Sequence, residues 1–194
     1  MIIDNRELRE RYEKVSIRLG EILGRTGLTP NAVTALSIIM GLLSLISLSA
    51  RKIVVGALLF LAAVFLDVVD GSIARAYNMS SSWGKLFDHY SDRTVEFLYI
   101  LGLVIGGYIP GWLGVISVFA DISPSYVRAR GEAEIRVTAA GVGLFERKEK
   151  IAVLFLGSIL TVYTPVAIKI ATVILVAASL VTTVQRMIFF KKKS

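Results

Sequence analysis

Six apolar runs, each close to the length a helix needs to cross a lipid bilayer, constrain this chain more than any other feature. A bilayer core of about 30 Å requires roughly 20 helical residues. The runs cover residues 31–49, 53–74, 85–107, 112–129, 149–165 and 167–190. Hydrophobic residues make up 55% of the 194 residues, more than an ordinary soluble domain contains. We therefore predict an all-α integral membrane bundle of six transmembrane helices.

The first 28 residues differ from these runs and predict a separate N-terminal helix. Apolar residues recur there at spacings of four and three, and the opposite face carries arginine, glutamate and lysine, which is typical of an amphipathic helix. The apolar face consists of Leu8, Tyr12, Val15, Leu19 and Ile22. We predict that residues 1–28 lie on the membrane surface and that residues 29–194 form the six-span domain. Thr29 is the expected N-cap of the first span, with Pro30 at its first helical position.

Lysine and arginine are distributed unevenly between the two ends of the predicted spans. Of the 22 such residues, 19 fall on the side that holds the N-terminus, and only Arg51, Lys52 and Lys169 fall on the other. The positive-inside rule then places both termini in the cytoplasm, and we predict a multi-pass protein of the cell membrane. Topology and contact with membrane lipid explain the formal charge of +7, so we expect no nucleic-acid partner.

Four aspartates interrupt the second and third runs near their predicted cytoplasmic ends. They are Asp67, Asp70, Asp88 and Asp92. Spacings of three or four residues place each pair on one helical face, so two helices bring two carboxylates each to the same membrane depth. Carboxylates about 4 Å apart repel by roughly 4 kcal/mol at an effective dielectric near 20. One or two divalent cations would relieve this repulsion, and an all-oxygen ligand set favours Mg²⁺ or Mn²⁺ over zinc.

Small residues share these two faces. Gly71 and Ala74 leave space beside the carboxylates for a substrate to lie against the backbone, and Gly84 clears the turn before Asp88. Arg75, one turn beyond Gly71, is placed to meet an anionic group. The sequence therefore predicts a site for an anionic substrate beside the aspartates.

The pattern resembles the signature of the CDP-alcohol phosphotransferase family at every fixed position. It reads Asp67-x-x-Asp70-Gly71-x-x-Ala74-Arg75, eight residues, then Gly84-x-x-x-Asp88-x-x-x-Asp92. The resemblance extends to Thr29-Pro30-Asn31 and Thr34 at the start of the first span. It implies a homodimeric, metal-dependent transferase in which a CDP-linked alcohol donates its phosphoalcohol group to a second alcohol and CMP leaves.

The resemblance also implies roles for individual residues. Two ions, Mg²⁺ or Mn²⁺, are expected to be bound by Asp67, Asp70, Asp88 and Asp92. Asp92 is in addition the expected base for the acceptor hydroxyl. The CDP site is expected to contain Asn31, Thr34, Gly71, Ala74 and Arg75.

Residues 124–150 bear on the identity of the acceptor. Arginine side chains suit a phosphate dianion, and the expected acceptor-phosphate residues are Arg128, Arg130, Arg147 and Lys150. The stretch resembles the subgroup that makes phosphatidylinositol phosphate or its archaeal ether-lipid counterpart, although Lys150 stands where that subgroup usually has arginine. This resemblance implies a CDP-diacylglycerol or CDP-archaeol donor and a water-soluble acceptor, inositol 1-phosphate. Glycerol 3-phosphate as acceptor and CDP-inositol as donor remain open.

Two further expectations concern the environment of the aspartates. Asp121 and Pro124 interrupt the fourth run and are expected to shape the cavity, with Asp121 paired to an arginine. A divalent-cation transporter is the alternative from another class of protein. Transporter sites usually lie near the bilayer midplane, whereas all four aspartates lie at one end of their runs, which favours an enzyme.

Overall fold

The computed structural model describes residues 16–18, 20–25 and 27–194, and these residues contain helices and no strand. The six long helices are α1 (Pro30–Ser49), α2 (Ile53–Ala76), α3 (Ser82–Ile105), α4 (Gly111–Ile135), α5 (Arg147–Leu160) and α6 (Ala167–Lys191). Residues 16–18 and 20–24 are also helical. Of the predicted apolar face in residues 1–28, Ile22 is described and the other four residues lie outside the described part. The all-α prediction is confirmed.

Three of the helices, α1, α2 and α6, are long and apolar enough to cross a membrane. Large apolar side chains on these helices stay exposed, among them Ile46 (61%), Phe65 (56%) and Val184 (56%). Extensive apolar exposure would be unfavourable in water and is expected where a protein faces lipid. These features are those of a membrane protein.

The start of α1 and the end of α5 both lie close to a proline in the sequence, Pro30 and Pro165. At the start of α1 the Ala32 N–H donates to Thr29 Oγ1 at 3.3 Å, so the predicted N-cap is confirmed. The fifth helix is shorter than the predicted run 149–165 because it ends at Leu160. Pro165 has no N–H to donate and restricts the residue before it, so the helix stops ahead of it.

The fourth helix continues beyond the predicted run 112–129 and ends at Ile135. Arg128 Nε lies 2.9 Å from Glu132 Oε1, and an equivalent pair follows two residues later. Ion pairs between residues four positions apart support a helix. The charged residues that follow the predicted run 112–129 therefore continue the helix to Ile135.

The chain divides into two compact units, and the first holds the aspartates. It comprises the described residues up to Leu43 together with Leu59–Leu98. Val33 of α1 packs with Val69 and Ile73 of α2 in its core. This unit therefore contains the N-terminal part of α1 and the aspartate-bearing parts of α2 and α3.

The second unit comprises Ser44–Leu58 and Tyr99–Ser194. Within it, α6 packs against both α4 and α5. Leu48 is fully buried, and a Cβ added to Gly56 would lie 2.5 Å from its Cγ. The glycine thus permits α1 and α2 to approach closely where they leave the first unit.

A buried ion pair joins α4 to α5 in the second unit. Lys150 Nζ lies 2.9 Å from Asp121 Oδ1 and 3.1 Å from the Asp121 carbonyl oxygen, and each side chain is 5% exposed. Asp121 thus has a buried lysine partner, and its expected pairing with an arginine stays a prediction. Removing one member of such a pair leaves an uncompensated charge in a medium of low dielectric.

Lys150→Met or Asp121→Leu alone should lower the free energy of unfolding by about 3–5 kcal/mol, because each removes one member of a buried ion pair. The double variant should recover most of that loss. Thermal unfolding in detergent, followed by circular dichroism, measures this. Arg130→Gln is the matched control, since its pair with Glu134 is exposed and should contribute at most about 1 kcal/mol. Single variants that unfold at the parental temperature would contradict the expected cost.

Candidate functional site

The last turns of α2 and the first half of α3 bring three aspartates together. Carboxylate oxygens of Asp67, Asp70 and Asp88 all lie within 4.8 Å of one another. Asp70 is 3% exposed, and the other two are half-buried. Asp92 lies outside this three-residue group, one turn further along α3, and is 8% exposed. The structure thus assembles three of the four predicted ligands and buries the fourth beyond them.

The chemistry of this group fits a hard divalent cation. At 4.8 Å two ionised carboxylates repel by roughly 3 kcal/mol at an effective dielectric near 20, and three do so pairwise. Carboxylate oxygen is the ligand that Mg²⁺ and Mn²⁺ prefer. The group Asp67, Asp70 and Asp88 is therefore the candidate metal centre.

The first helix orients the helices that carry these ligands. Thr34 Oγ1 donates to Asp70 Oδ2 at 2.5 Å, and Thr34 is 3% exposed. One turn further along α1, Ser37 Oγ lies 2.9 Å from Ser91 Oγ on α3. Since both contacts are buried, they are protected from competition by water. Through them α1 contacts α2 at Asp70, a candidate metal ligand, and α3 next to Asp92.

A cavity of about 170 Å³ opens beside the aspartates. All five residues expected in the CDP site line it, and so do two of the aspartates. Its lining residues are Pro30, Asn31, Thr34, Asp70, Gly71, Ala74, Arg75, Met79, Ser80, Ser81, Gly84, Lys85 and Asp88. The predicted nucleotide residues from α1 and α2 therefore converge on one space.

The two signature glycines keep this cavity open. A Cβ added to Gly71 would lie 3.2 Å from Arg75 Nη1. A Cβ added to Gly84 would lie 3.1 Å from Ser81 Oγ and 3.4 Å from Asn31 Oδ1. The distances of 3.2 Å at Gly71 and 3.1 Å at Gly84 are tighter than ordinary van der Waals contact, so a larger residue would push cavity-lining side chains out of place.

Four residues that line this cavity were not predicted from the sequence: Met79, Ser80, Ser81 and Lys85. Ser81 Oγ accepts the Gly84 N–H at 2.9 Å and caps α3. A serine directly before a helical run is an N-cap signal, and Ser81 was therefore available in the sequence. A helix N-terminus favours anions, so this end of α3 suits a phosphate-bearing ligand.

The four basic residues expected to bind the acceptor phosphate all belong to the second unit. Arg128 and Arg130 each pair with a glutamate one turn further along α4. Arg147 is the first residue of α5. Lys150 is 4% exposed and its ammonium group is bound by Asp121, as described above.

Arg186 is a buried cation that the sequence reasoning did not single out. It is 7% exposed, and its Nη1 donates to the Pro124 carbonyl oxygen at 2.7 Å. Its Nε donates to the Val142 carbonyl oxygen at 2.9 Å, so it holds the loop between α4 and α5 against α4. An arginine inside the apolar run 167–190 was the available signal, because charged residues in such runs are generally functional.

The segment after α4 is organised by a second charged residue. Glu132 Oε1 accepts the Ala139 N–H at 2.9 Å and the Thr138 hydroxyl at 3.2 Å. The Ala139 N–H lowers the pKa of Glu132 below its ordinary value, because a hydrogen bond to the carboxylate favours its charged form. Arg186 and Glu132 together give the loop a defined course.

A family model of CDP-alcohol phosphatidyltransferases matches residues 27–186. The chain belongs to this family, and it is a transferase that acts on CDP-linked alcohols. The signature aspartates, glycines and arginine described above all fall within the matched residues. A cation transporter is thereby excluded as the class of protein.

The chain is similar over most of its length to two known synthases of inositol-phosphate lipids. The archaetidylinositol phosphate synthase of Pyrococcus horikoshii is 27% identical over 187 residues, 96% of each chain. A crystal structure of the phosphatidylinositol phosphate synthase of Mycobacterium tuberculosis with CDP-DAG bound is 25% identical, with a TM-score of 0.80 over 91% of this chain and 94% of that one. Another structure of that enzyme, in complex with manganese and citrate, is 24% identical, with a TM-score of 0.80 over 91% and 88%. This manganese-bound structure has the same fold as the present chain.

Thr34→Val should weaken metal binding by roughly ten- to a hundredfold, as loss of a hydrogen bond to a metal ligand usually does. Valine keeps the shape of threonine but cannot donate to Asp70. Titration of Mn²⁺ into the purified protein, followed by electron paramagnetic resonance, measures the affinity. Thr34→Ser is the matched control because it retains the hydroxyl. Parental Mn²⁺ affinity in Thr34→Val would show that Thr34 does not orient the ligand.

Proposed function

We propose that this transferase uses a CDP-linked lipid, CDP-diacylglycerol or CDP-archaeol, as donor and inositol 1-phosphate as acceptor, and releases CMP in phospholipid biosynthesis. The observation that carries the proposal is the assembly of Asp67, Asp70 and Asp88 at the edge of the cavity that the predicted CDP residues line. The acceptor is supported by the archaeal and mycobacterial relatives, which are synthases of inositol-phosphate lipids.

On the donor side, the cavity residues bind and orient the nucleotide. Gly71, Ala74 and Gly84 let the CDP moiety lie against the helix backbones. Arg75 meets the diphosphate charge with its guanidinium, and Asn31 supplies further hydrogen-bonding groups. Thr34 acts through Asp70, which it holds in place. This arrangement fixes the phosphorus atom that carries the lipid group.

The metal centre is proposed to hold two ions, Mg²⁺ or Mn²⁺, on Asp67, Asp70, Asp88 and Asp92. When bound, they would neutralise charge on the diphosphate and stabilise the CMP leaving group. The ligands are ionised carboxylates, which this chain places at the ends of two helices. The buried position of Asp70 excludes water from one side of the centre.

Asp92 is proposed to take the proton of the acceptor hydroxyl. The hydroxyl oxygen bonds to the phosphorus that carries the lipid, the phosphorus–oxygen bond to CMP breaks, and the proton passes to the carboxylate. In-line attack comes from the side opposite CMP. Asp88 lines the cavity, and Asp92 lies one turn further along α3, which supports this role.

The acceptor phosphate is proposed to be bound by the basic residues of the second unit, Arg128, Arg130, Arg147 and Lys150. Guanidinium groups bind phosphate through two parallel hydrogen bonds. Lys150 would have to leave Asp121 to bind a phosphate, whereas Arg128 and Arg130 would exchange only half-exposed or exposed glutamate partners. The arginines are therefore the better candidates of the four.

The placement in the membrane is also a proposal. We infer that residues 29–194 form a domain of six spans in the cell membrane, with the site and both termini on the cytoplasmic side. Residues 1–28 are proposed to lie on the membrane surface, and the protein to function as a homodimer. A site at the cytoplasmic end suits a lipid donor that arrives through the bilayer and an acceptor that arrives from water.

The reaction is tested by CMP release from CDP-diacylglycerol and CDP-archaeol in detergent with Mg²⁺ or Mn²⁺. We expect release with inositol 1-phosphate and little with glycerol 3-phosphate. Asp67→Ala should abolish it, because a ligand of the metal centre is lost. Preference for glycerol 3-phosphate, or transfer from CDP-inositol instead, would replace the proposed substrates. Full activity after exhaustive EDTA treatment would contradict the metal requirement.

Asp92→Asn should lower kcat by about 10²–10⁴, the usual contribution of a general base. Asparagine keeps the size and one oxygen ligand but cannot accept the proton, so donor affinity should change by only a few-fold. Asp70→Asn is the comparison, and it should damage metal and nucleotide binding instead. The measurements are turnover and titration of CDP-lipid binding for both variants. Near-normal turnover in Asp92→Asn would remove it from the base role.

A further inference from the structure

We propose that Ser16, in the helical segment formed by residues 16–18 and 20–24, positions the Arg75 guanidinium for the donor nucleotide. This segment is called the N-terminal segment below. The inference rests on the proposed function, since it assumes that Arg75 meets the CDP diphosphate. It gives the N-terminal segment a role at the active site in addition to its expected place on the membrane surface.

A chain of hydrogen bonds connects Arg75 to the N-terminal segment. Arg75 Nη2 donates to Ser16 Oγ at 2.6 Å, and Ser16 Oγ lies 2.8 Å from Ser72 Oγ. Ser72 Oγ donates to the Val68 carbonyl oxygen at 2.6 Å. A hydroxyl has one proton to donate, so Ser16 must be the donor to Ser72. Every bond in the chain then points the same way, from the guanidinium to the backbone of α2.

The N-terminal segment lies against α2 too closely for this contact to be incidental. A Cβ added to Gly20 would lie 2.2 Å from the Ser72 carbonyl oxygen, and one added to Gly24 would lie 2.1 Å from Tyr77 Cε2. The Tyr77 hydroxyl donates to the Glu21 carbonyl oxygen at 3.1 Å. With Ser16, the two glycines form a line of small residues at a spacing of four, which is one helical face. That face rests on the end of α2 that carries Arg75.

The contact determines where the rest of the guanidinium points. Ser16 is 4% exposed and Ser72 is fully buried, so Nη2 is held at a protected polar site. Nη1 then lies over Gly71, where an added Cβ would come within 3.2 Å of it, and Arg75 lines the cavity. An exposed arginine loses much rotamer freedom when it binds a ligand. Because the bond to Ser16 already fixes Nη2, Arg75 loses less rotamer freedom when Nη1 binds the donor.

Ser16→Ala removes the nearer acceptor of Nη2 without adding bulk and leaves it only the longer contact with Ser72 Oγ, at 3.4 Å. The KM for the CDP-lipid should rise roughly five- to twentyfold, the size expected for losing a hydrogen bond to a charged group. The kcat and the acceptor KM should stay within about twofold. Gly20→Ala should raise the donor KM in the same way, because its methyl group displaces the segment from Ser72. The matched controls are Ser123→Ala, whose hydroxyl bonds only within α4, and Gly111→Ala, where an added Cβ meets nothing within 4 Å.

A double-mutant cycle with Arg75→Ala separates this positioning role from a structural one. If Ser16 acts through Arg75, Ser16→Ala should have no further effect on the donor KM once Arg75 is alanine. Additive effects would overturn the inference, and so would a parental donor KM in Ser16→Ala while Arg75→Ala raises it. An unchanged donor KM in Arg75→Ala would overturn the proposed role of Arg75 in donor binding and this inference with it.

Discussion

The mutual repulsion of Asp67, Asp70 and Asp88 is the constraint on which the rest of the site depends. Three carboxylates within 4.8 Å of one another favour separation of the two helices that carry them. Packing and buried hydrogen bonds must hold α2 and α3 together when the charges are not neutralised. The same repulsion favours binding of a divalent cation, because the cation would neutralise the carboxylates that the fold holds close together. Stability and function therefore oppose each other at this point of the molecule.

The first helix is the element that resists this repulsion. Thr34 binds a carboxylate of α2 directly, and Ser37 contacts Ser91 on α3 one residue before Asp92. Val33 immediately precedes Thr34 in the sequence and packs into the apolar core of the same unit. A single face of α1 thus combines burial, a bond to a ligand and a contact beside the proposed base. The N-terminal segment continues this arrangement at Arg75, where another serine holds a charged side chain by one hydrogen bond.

The charged side chains of the two units have different surroundings. In the first, carboxylates of Asp67, Asp70 and Asp88 are gathered within 4.8 Å of one another, and they form the candidate metal centre. In the second, Lys150 is neutralised by Asp121, and Arg186 is bound by two carbonyl oxygens. Those groups stabilise the connection between α4 and α5, and the arginines proposed to bind the acceptor phosphate lie near its ends. A buried paired cation and a half-exposed arginine look alike in a sequence but have different chemical uses.

The sequence by itself determined the all-α class, the bounds of most helices and the cap at Thr29, because apolar run length and helical spacing are local properties. It predicted that four aspartates converge, and the structure groups three of them. Spacing also placed Gly71 and Arg75 on the side of the cavity. It could not show that Thr34 binds Asp70, that Lys150 pairs with Asp121, or that Ser16 binds Arg75. Those contacts join residues 29 to 59 positions apart. Only the tertiary structure decided them, since helical periodicity gives the direction of a side chain on its own helix but not which neighbouring helix it meets.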